Sequence, residues 1–270
     1  MPELPEVETL VRSLKVLMGE MITQIVVLNK KSFIGDPRQV IGLKISNVER
    51  RGKYIRLKFE TGEYLFIHLR MSGRLFIKSQ FKEGTKHEHV VIYLSSHRAL
   101  IFHDTRKFGR MEFVKDAKNV EDKLGFEPFD EKLTPTVMEQ YFKKKSKSIK
   151  TMLLDQKFIA GLGNIYVDET LFEAHIHPLT LCASLKTKQI QSLLEAIRKV
   201  LNRGIDSHGT SLGNGLNNFS LLDGSLGMHQ SQLKVYKREN QSCSTCKTII
   251  KKIKVAQRGT HFCPSCQRTN

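Results

Sequence analysis

No stretch of this 270-residue chain approaches the roughly 18 consecutive apolar residues that a membrane-spanning helix needs, so a spanning helix is excluded. The chain does not open on a basic region and an apolar run, as a secretory leader would. Glu3, Glu6 and Glu8 stand there instead, and a cytoplasmic location is expected. Cysteine is scarce, with five in the chain, which in a reducing compartment argues against a disulfide framework. Acid is in short supply too. The 27 Asp and Glu face 44 Lys and Arg, and the formal charge of +17 favours a polyanionic partner, nucleic acid first. There is no internal repeat. The remaining composition is globular and long enough to bury a proper core.

From Pro5 onward Val7, Leu10, Val11, Leu14, Leu17 and Met18 recur at three- and four-residue spacing, which predicts one amphipathic helix ending at Gly19. From about 22 to 114 the pattern changes to short alternating runs, among them 54–59, 64–67, 74–77, 90–94 and 99–103. Their spacing suits an antiparallel sandwich with the first helix packed on it. A polar, proline-containing stretch from Glu127 to Pro135 reads as a linker. Helical periodicity follows over 135–144, 149–157, 164–174 and 187–203, and the Gly-, Asn- and Ser-rich segment from Ser207 to Gly227 reads as a mobile loop. The expected fold class is α+β. It comprises an N-terminal β-sandwich domain over 1–130, a helical domain with its loop over 134–228, and a small module over 229–270.

Two features carry chemistry. Cys243-x2-Cys246 and Cys263-x2-Cys266, separated by 16 residues, match two metal-binding knuckles at the ends of a β-hairpin. Four thiolates leave no open coordination position, so one structural Zn2+ is expected there, with no direct part in catalysis. Cys182 stands apart as a small core residue. The second feature is the terminus. If Met1 is removed, the first group is the secondary amine of Pro2, flanked by Glu3. A secondary amine that attacks an aldehyde-level carbon gives an iminium with no N–H left to lose, which persists as an electron sink. Taken alone, Pro2 reads more simply as a rigid start with Pro5 in a first helical turn.

The residues around these features resemble the formamidopyrimidine-DNA glycosylase family over the whole chain. The markers are Pro2-Glu3-Leu4-Pro5-Glu6-Val7-Glu8-Thr9, Arg51-Gly52-Lys53-Tyr54, His68-Leu69-Arg70-Met71-Ser72-Gly73, Lys86-His87-Glu88-His89-Val90, Asp104-Thr105-Arg106-Lys107-Phe108-Gly109, Gly161-Leu162-Gly163-Asn164-Ile165-Tyr166 and Ala256-Gln257-Arg258-Gly259-Thr260 ahead of Cys263. The resemblance implies a helix-two-turn-helix domain, a zinc finger, and a bifunctional glycosylase and abasic-site lyase that excises oxidised purines from double-stranded DNA. It also implies a monomer working at the nucleoid. A target base must leave the duplex before its glycosidic carbon can be reached, which costs a few kcal/mol of lost stacking, and the gap must be filled. The resemblance gives that task to Phe108 as wedge, Met71 as filler and Arg106 as partner of the orphaned base.

It makes Pro2 the nucleophile at C1′, Glu3 the proton shuttle, and Lys53 and Arg258 further catalytic residues. Asn164 and Arg258 would clamp the phosphates of the extruded nucleotide. Glu6, His87, Lys147 and Lys150 would be additional DNA contacts. His87 and His89 sit two apart and are expected to point the same way from a strand. Two alternatives stay open: an endonuclease VIII-like pyrimidine glycosylase or abasic-site lyase only, and a zinc-finger DNA-binding protein without activity. The base-covering loop of the family falls in Ser211 to Met228.

Overall fold

The structure, a computed structural model, describes residues 1–79, 85–213 and 219–268. The chain divides into two compact units, Met1–Lys123 with Ile205–Gln230, and Leu124–Gly204 with Ser231–Asn270.

In the first unit, helix α1 (Leu4–Leu14) starts where a capping box forms between Glu3 and Glu6, with a proline in its first turn. Leu4, Val7, Leu10, Val11 and Leu14 fall on its buried face. The expected run to Met18 instead tightens into a 3-10 turn over Lys15–Leu17, after which Met18 is extended. The reason is burial: Leu17 continues the apolar stripe, but Val16 and Met18 face solvent and cannot hold a further α-turn against the core.

Strands β1 (Ile22–Val27), β2 (Phe33–Ile34), β3 (Ile45–Arg51), β4 (Tyr54–Phe59), β5 (Tyr64–His68), β6 (Gly73–Lys78), β7 (Glu88–Leu94), β8 (Ala99–Asp104) and β9 (Arg110–Val114) follow, then the short helix α2 (Lys118–Glu121). They form a four-stranded sheet in the order β1-β7-β8-β6 and a five-stranded sheet in the order β2-β9-β5-β4-β3. All pairings are antiparallel except β2 with β9. Alternate residues of both sheets, such as Leu57, Leu65 and Ile67 from one and Val90, Ile92 and Leu100 from the other, meet α1 in one core. The expected sandwich with a helix packed on it is therefore the observed one.

In the second unit come α3 (Pro135–Phe142), α4 (Ile149–Leu153), α5 (Asn164–Glu173) and α6 (Thr187–Asp206), whose last turn passes into the first unit, then the hairpin β10 (Lys251–Val255) and β11 (Arg258–Phe262). Helix α4 stops four residues short of its expected end. There the Gln156 side chain donates to Leu154 O and Leu162 O and accepts from the Gly161 N–H, shaping the chain into the next turn. The stretch read as a linker is tied down: the Arg198 guanidinium donates to the carbonyls of Pro128, Asp130 and Leu133. Part of the segment read as a mobile loop, residues 214–218, lies outside the described residues, whereas Thr210, Ser211 and Phe219 beside it are buried.

One surface network of the first unit reports on pH. The Glu20 carboxylate accepts from Arg98 at 2.7 Å, from the Ser95 hydroxyl at 2.8 Å and from the Ser96 N–H at 3.0 Å. Burial pushes this carboxyl up, but those hydrogen bonds outweigh it and hold it down at about 2. A depressed carboxyl stabilises the fold fully above its ordinary range near 4.5 and loses that contribution as pH falls through about 2. Glu20→Gln should therefore lower stability by about 1–3 kcal/mol at neutral pH, shrinking toward zero near pH 2. Paired denaturation curves at neutral and acid pH check this, and an equal loss at both would contradict it.

Candidate functional site

The candidate site of the first unit is built from the α1 terminus outward. Glu6 accepts the Glu3 N–H through Oε2 and the Thr210 N–H through Oε1, both at 2.7 Å. One buried carboxylate thus joins the helix start to the segment that leads into the glycine-rich loop. Gly209 sits at φ +82°, and a Cβ there would meet Glu6 Cγ at 2.9 Å, so this approach needs glycine. Pro2 and Glu3 are buried beside it. With Met1 retained, burial pushes the chain's terminal amine below its ordinary value. Glu3 and Glu6 pull it up, while Lys53 and Arg106 push it down. The terminus thus lies within electrostatic reach of all four side chains. Lys53, in the β3–β4 turn after Gly52 at φ +55°, is 6% exposed and is no ordinary solvated lysine.

Met71, Arg106 and Phe108 stand on two loops that a third acid fastens together. Asp104 accepts from the Ser72 hydroxyl at 2.5 Å and the Arg106 N–H at 3.1 Å through Oδ1, and from the Gly109 N–H at 2.7 Å through Oδ2. Between these ties Arg70 and Lys107 adopt φ +54° and +60°, a conformation that side chains rarely take. Gly109 has no room for more: a Cβ would sit 2.5 Å from Phe102 Cζ. The loops leave Met71 40% and Phe108 49% exposed, and the Arg106 guanidinium lies 5.1 Å from the Phe108 ring centroid. Large apolar side chains held out in this way suit insertion between bases.

His68 supports the first loop. Its Nδ1 accepts from the Arg70 N–H at 3.0 Å, and burial, with Arg70 and Lys53, pushes the ring down to about 3, so it stays neutral. His87 and His89 do not act as a pair. His89 is buried and its Nε2 lies 2.7 Å from the Asp104 carbonyl, whereas half-buried His87 precedes β7 and meets the His103 ring edge-on. The register irregularity between Glu88 and Val90 breaks the alternation that would have aligned them.

In the second unit Gly161, at φ +107°, turns the chain into α5, and Asn164 is its first residue. The Asn164 amide donates to Gly259 O at 2.9 Å. Arg258 and Lys147 are exposed. Lys150 is not: its ammonium has no exposed surface and is bonded to Asn164 and Asp168. The surface contact expected of Lys150 is therefore absent from this structure, because a lysine in an amphipathic run can be drawn inward by a carboxylate that the sequence places 18 residues away.

The four knuckle cysteines bring their sulfurs within 4.8 Å of one another. Tetrahedral zinc with bonds of about 2.3 Å requires sulfurs about 3.8 Å apart. Cys243 and Cys266 are at 3.9 Å and Cys246 and Cys263 at 3.4 Å, so the donor set fits one structural zinc ion. Phe172, Val235 and Ile250 pack against it. Sequence reasoning missed Asp104, Asp168 and Glu169. The last accepts the backbone N–H groups of Lys234, Val235 and Tyr236 and so moors the chain entering the zinc module. The available signal was the spacing of Asp168 four residues after Asn164, which puts the two on one helix face.

Family models agree with this layout. Formamidopyrimidine-DNA glycosylase N-terminal domain matches residues 1–111, Formamidopyrimidine-DNA glycosylase H2TH domain matches 124–214, and Zinc finger found in FPG and IleRS matches 240–269. The chain is 41% identical to the formamidopyrimidine-DNA glycosylase of Protochlamydia amoebophila, covering 99% of this chain and 100% of that one. It is 42% identical to that of Lactiplantibacillus plantarum over the same shares. Among solved structures, a Lactococcus lactis FPG variant in complex with a Fapy-dG containing DNA superposes with a TM-score of 0.91 at 36% identity, covering 99% of this chain and 100% of that one. The Lactococcus lactis Fpg with an abasic site containing DNA gives 0.90 at 35% identity, over the same shares. The chain belongs to the formamidopyrimidine-DNA glycosylase family.

Zinc should be present at one equivalent, and its removal should unfold the hairpin. Structural zinc in finger peptides is worth roughly 10–16 kcal/mol apparent, so Cys263→Ser should abolish DNA binding while the first unit stays folded. Metal analysis with a DNA-binding titration checks this, and metal-free protein with parent affinity would refute it.

Proposed function

We propose that this chain is a bifunctional DNA glycosylase and abasic-site lyase of base excision repair, acting on oxidised purines such as 8-oxoguanine and formamidopyrimidines. The observation that carries the reading is the buried Pro2–Glu3 start of α1, which Glu6 ties to Thr210, in the same unit as the enclosed Lys53. Membership of the family and the DNA complexes of its Lactococcus relative support it. The protein acts in the cytoplasm, at the nucleoid, as a monomer.

After removal of Met1, the Pro2 nitrogen attacks C1′ of the extruded nucleotide. The glycosidic bond breaks as the N–C1′ bond forms, and the base leaves with its electron pair and takes up a proton. The Pro2 nitrogen loses its N–H proton, the C1′–O4′ bond breaks with O4′ protonated through Glu3, and the nitrogen lone pair closes the iminium. That iminium acidifies C2′–H. Loss of that proton expels the 3′ phosphate, and a second elimination expels the 5′ phosphate. Attack requires the unprotonated amine. A free α-amino group has a pKa of about 7.7–8.0, so a useful neutral fraction exists at cellular pH. Met71, Arg106 and Phe108 fill the vacated stack, while His87, Lys147, Asn164 and Arg258 grip the backbone. Glu6, buried with one oxygen engaged by Glu3 and the other by Thr210, holds the reacting end together in place of the DNA contact expected of it. Zinc, when bound by its four cysteines, supplies rigidity to the strand that bears Arg258.

Borohydride trapping tests the nucleophile. An additional N-terminal residue should abolish the covalent protein–DNA adduct, and Glu3→Gln should bind lesion DNA while base release falls by orders of magnitude. The pH midpoint of trapping should rise in Lys53→Gln, because a cation that disfavours amine protonation is gone. Undiminished trapping by the extended protein would refute the assignment. Running duplexes with 8-oxoguanine, an oxidised pyrimidine or an abasic site separates the purine enzyme from a pyrimidine glycosylase or a lyase alone.

The salt dependence of binding tests the contacts. Each neutralised phosphate contributes about −0.9 to the log–log slope. Lys147→Met and Arg258→Met should each reduce the slope by about one, and Lys150→Met should leave it unchanged because its ammonium is enclosed. A reduced slope in Lys150→Met would show that this lysine reaches the phosphates after all. Arg106→Ala should lose opposite-base discrimination.

A further inference from the structure

We propose that Asp168, on α5, is a positioning residue that fixes Asn164 and the hairpin tip as one phosphate-gripping piece; the proposal rests on the reading of Asn164 and Arg258 as phosphate contacts. The argument begins with donors and acceptors. Lys150 carries three donors and no acceptor, so the Asn164 atom at 2.7 Å from its ammonium must be the carbonyl oxygen. Gly259 O is an acceptor, so the Asn164 atom at 2.9 Å from it must be the amide nitrogen. Two independent neighbours therefore impose the same orientation. Of the two amide protons, one is committed to Gly259, and the other is left as the donor for a phosphate oxygen.

Asp168 holds both neighbours in place. One of its oxygens forms the ion pair that draws Lys150 under Asn164, and both side chains are fully enclosed. The other oxygen accepts the His261 N–H at 2.9 Å and faces His261 Nδ1 at 3.2 Å. His261 lies two residues beyond Gly259 on β11, the strand that begins at Arg258. The same carboxylate thus sets the Asn164 amide through Lys150 and the Arg258–Gly259 backbone through His261. Burying a paired charge where apolar packing would serve stability as well is best accounted for by what it orients.

A double-mutant cycle tests this. The background variant is Lys150→Met/Asp168→Asn, which removes both charges while the amide carbonyl introduced on α5 can still accept the His261 N–H. Affinity for a duplex bearing a stable abasic-site analogue is measured with and without Asn164→Ala, alongside melting temperature and zinc content. In the parent protein, Asn164→Ala should weaken binding about tenfold, the order expected for a hydrogen bond to a charged group. In the background variant, which should retain zinc, the same change should cost less than about twofold, because the Asn164 amide is already misdirected. An equal tenfold loss in both backgrounds would overturn the positioning role and leave the phosphate reading intact. No loss in the parent would overturn both. Should the background variant fail to fold, side-chain amide exchange in the parent decides the question. One Asn164 amide proton should exchange at least about tenfold more slowly than a free amide, and free-amide rates would overturn the proposal.

Discussion

A hydrogen bond from a backbone N–H to a buried carboxylate holds the irregular segments on which the proposed chemistry stands. Glu6 grips Glu3 and Thr210, Asp104 grips Arg106 and Gly109, Asp168 grips His261, and Glu169 grips three successive residues from Lys234. Helices and sheets satisfy their own backbone groups, but turns cannot, and here a buried acid supplies the missing acceptor. Without these acids the strands and helices would keep their cores, while the loops between them would lose their defined shapes.

Those loops need such restraint because they are held in uncommon conformations. Arg70, Lys107, Ala256 and Gln257 all have positive φ without being glycine, and each lies within two residues of one assigned to meet DNA. A backbone in this region is uphill by itself and persists only when its surroundings over-determine it. The His68 ring supplies that for Arg70 and the bonds at Asp104 for Lys107, and β10–β11 pairing up to Val255 and Arg258 supplies it for the second pair.

The sandwich, α1 and the zinc knuckles were legible because their signals are local: alternation of period two, apolar residues at three- and four-residue spacing, and paired cysteines. The C-terminal ends of α1 and α4 were not, since the exposure of Val16 and Met18 and the loop bonds of Gln156 depend on how distant parts of the chain pack. Lys150 shows the same limit more sharply. Nothing in Ser148-Ile149-Lys150-Thr151 distinguishes an enclosed lysine from a solvated one until α5 brings Asp168 against it. His87 and His89 were misaligned by one bulge, a feature of strand pairing that neither residue encodes.

The distribution of charge has a consequence for how such a protein can change. Its acids at Glu3, Glu6, Glu88, Asp104, Asp168 and Glu169 are buried, whereas cations such as Lys147, Lys254 and Arg258 face outward. Shape is therefore written in one set of residues and affinity for a polyanion in another. Surface lysines can be gained or lost one at a time, raising or lowering attraction to a polyanion in small steps, without disturbing the loops that the buried acids hold. Binding strength and loop shape can drift independently of each other.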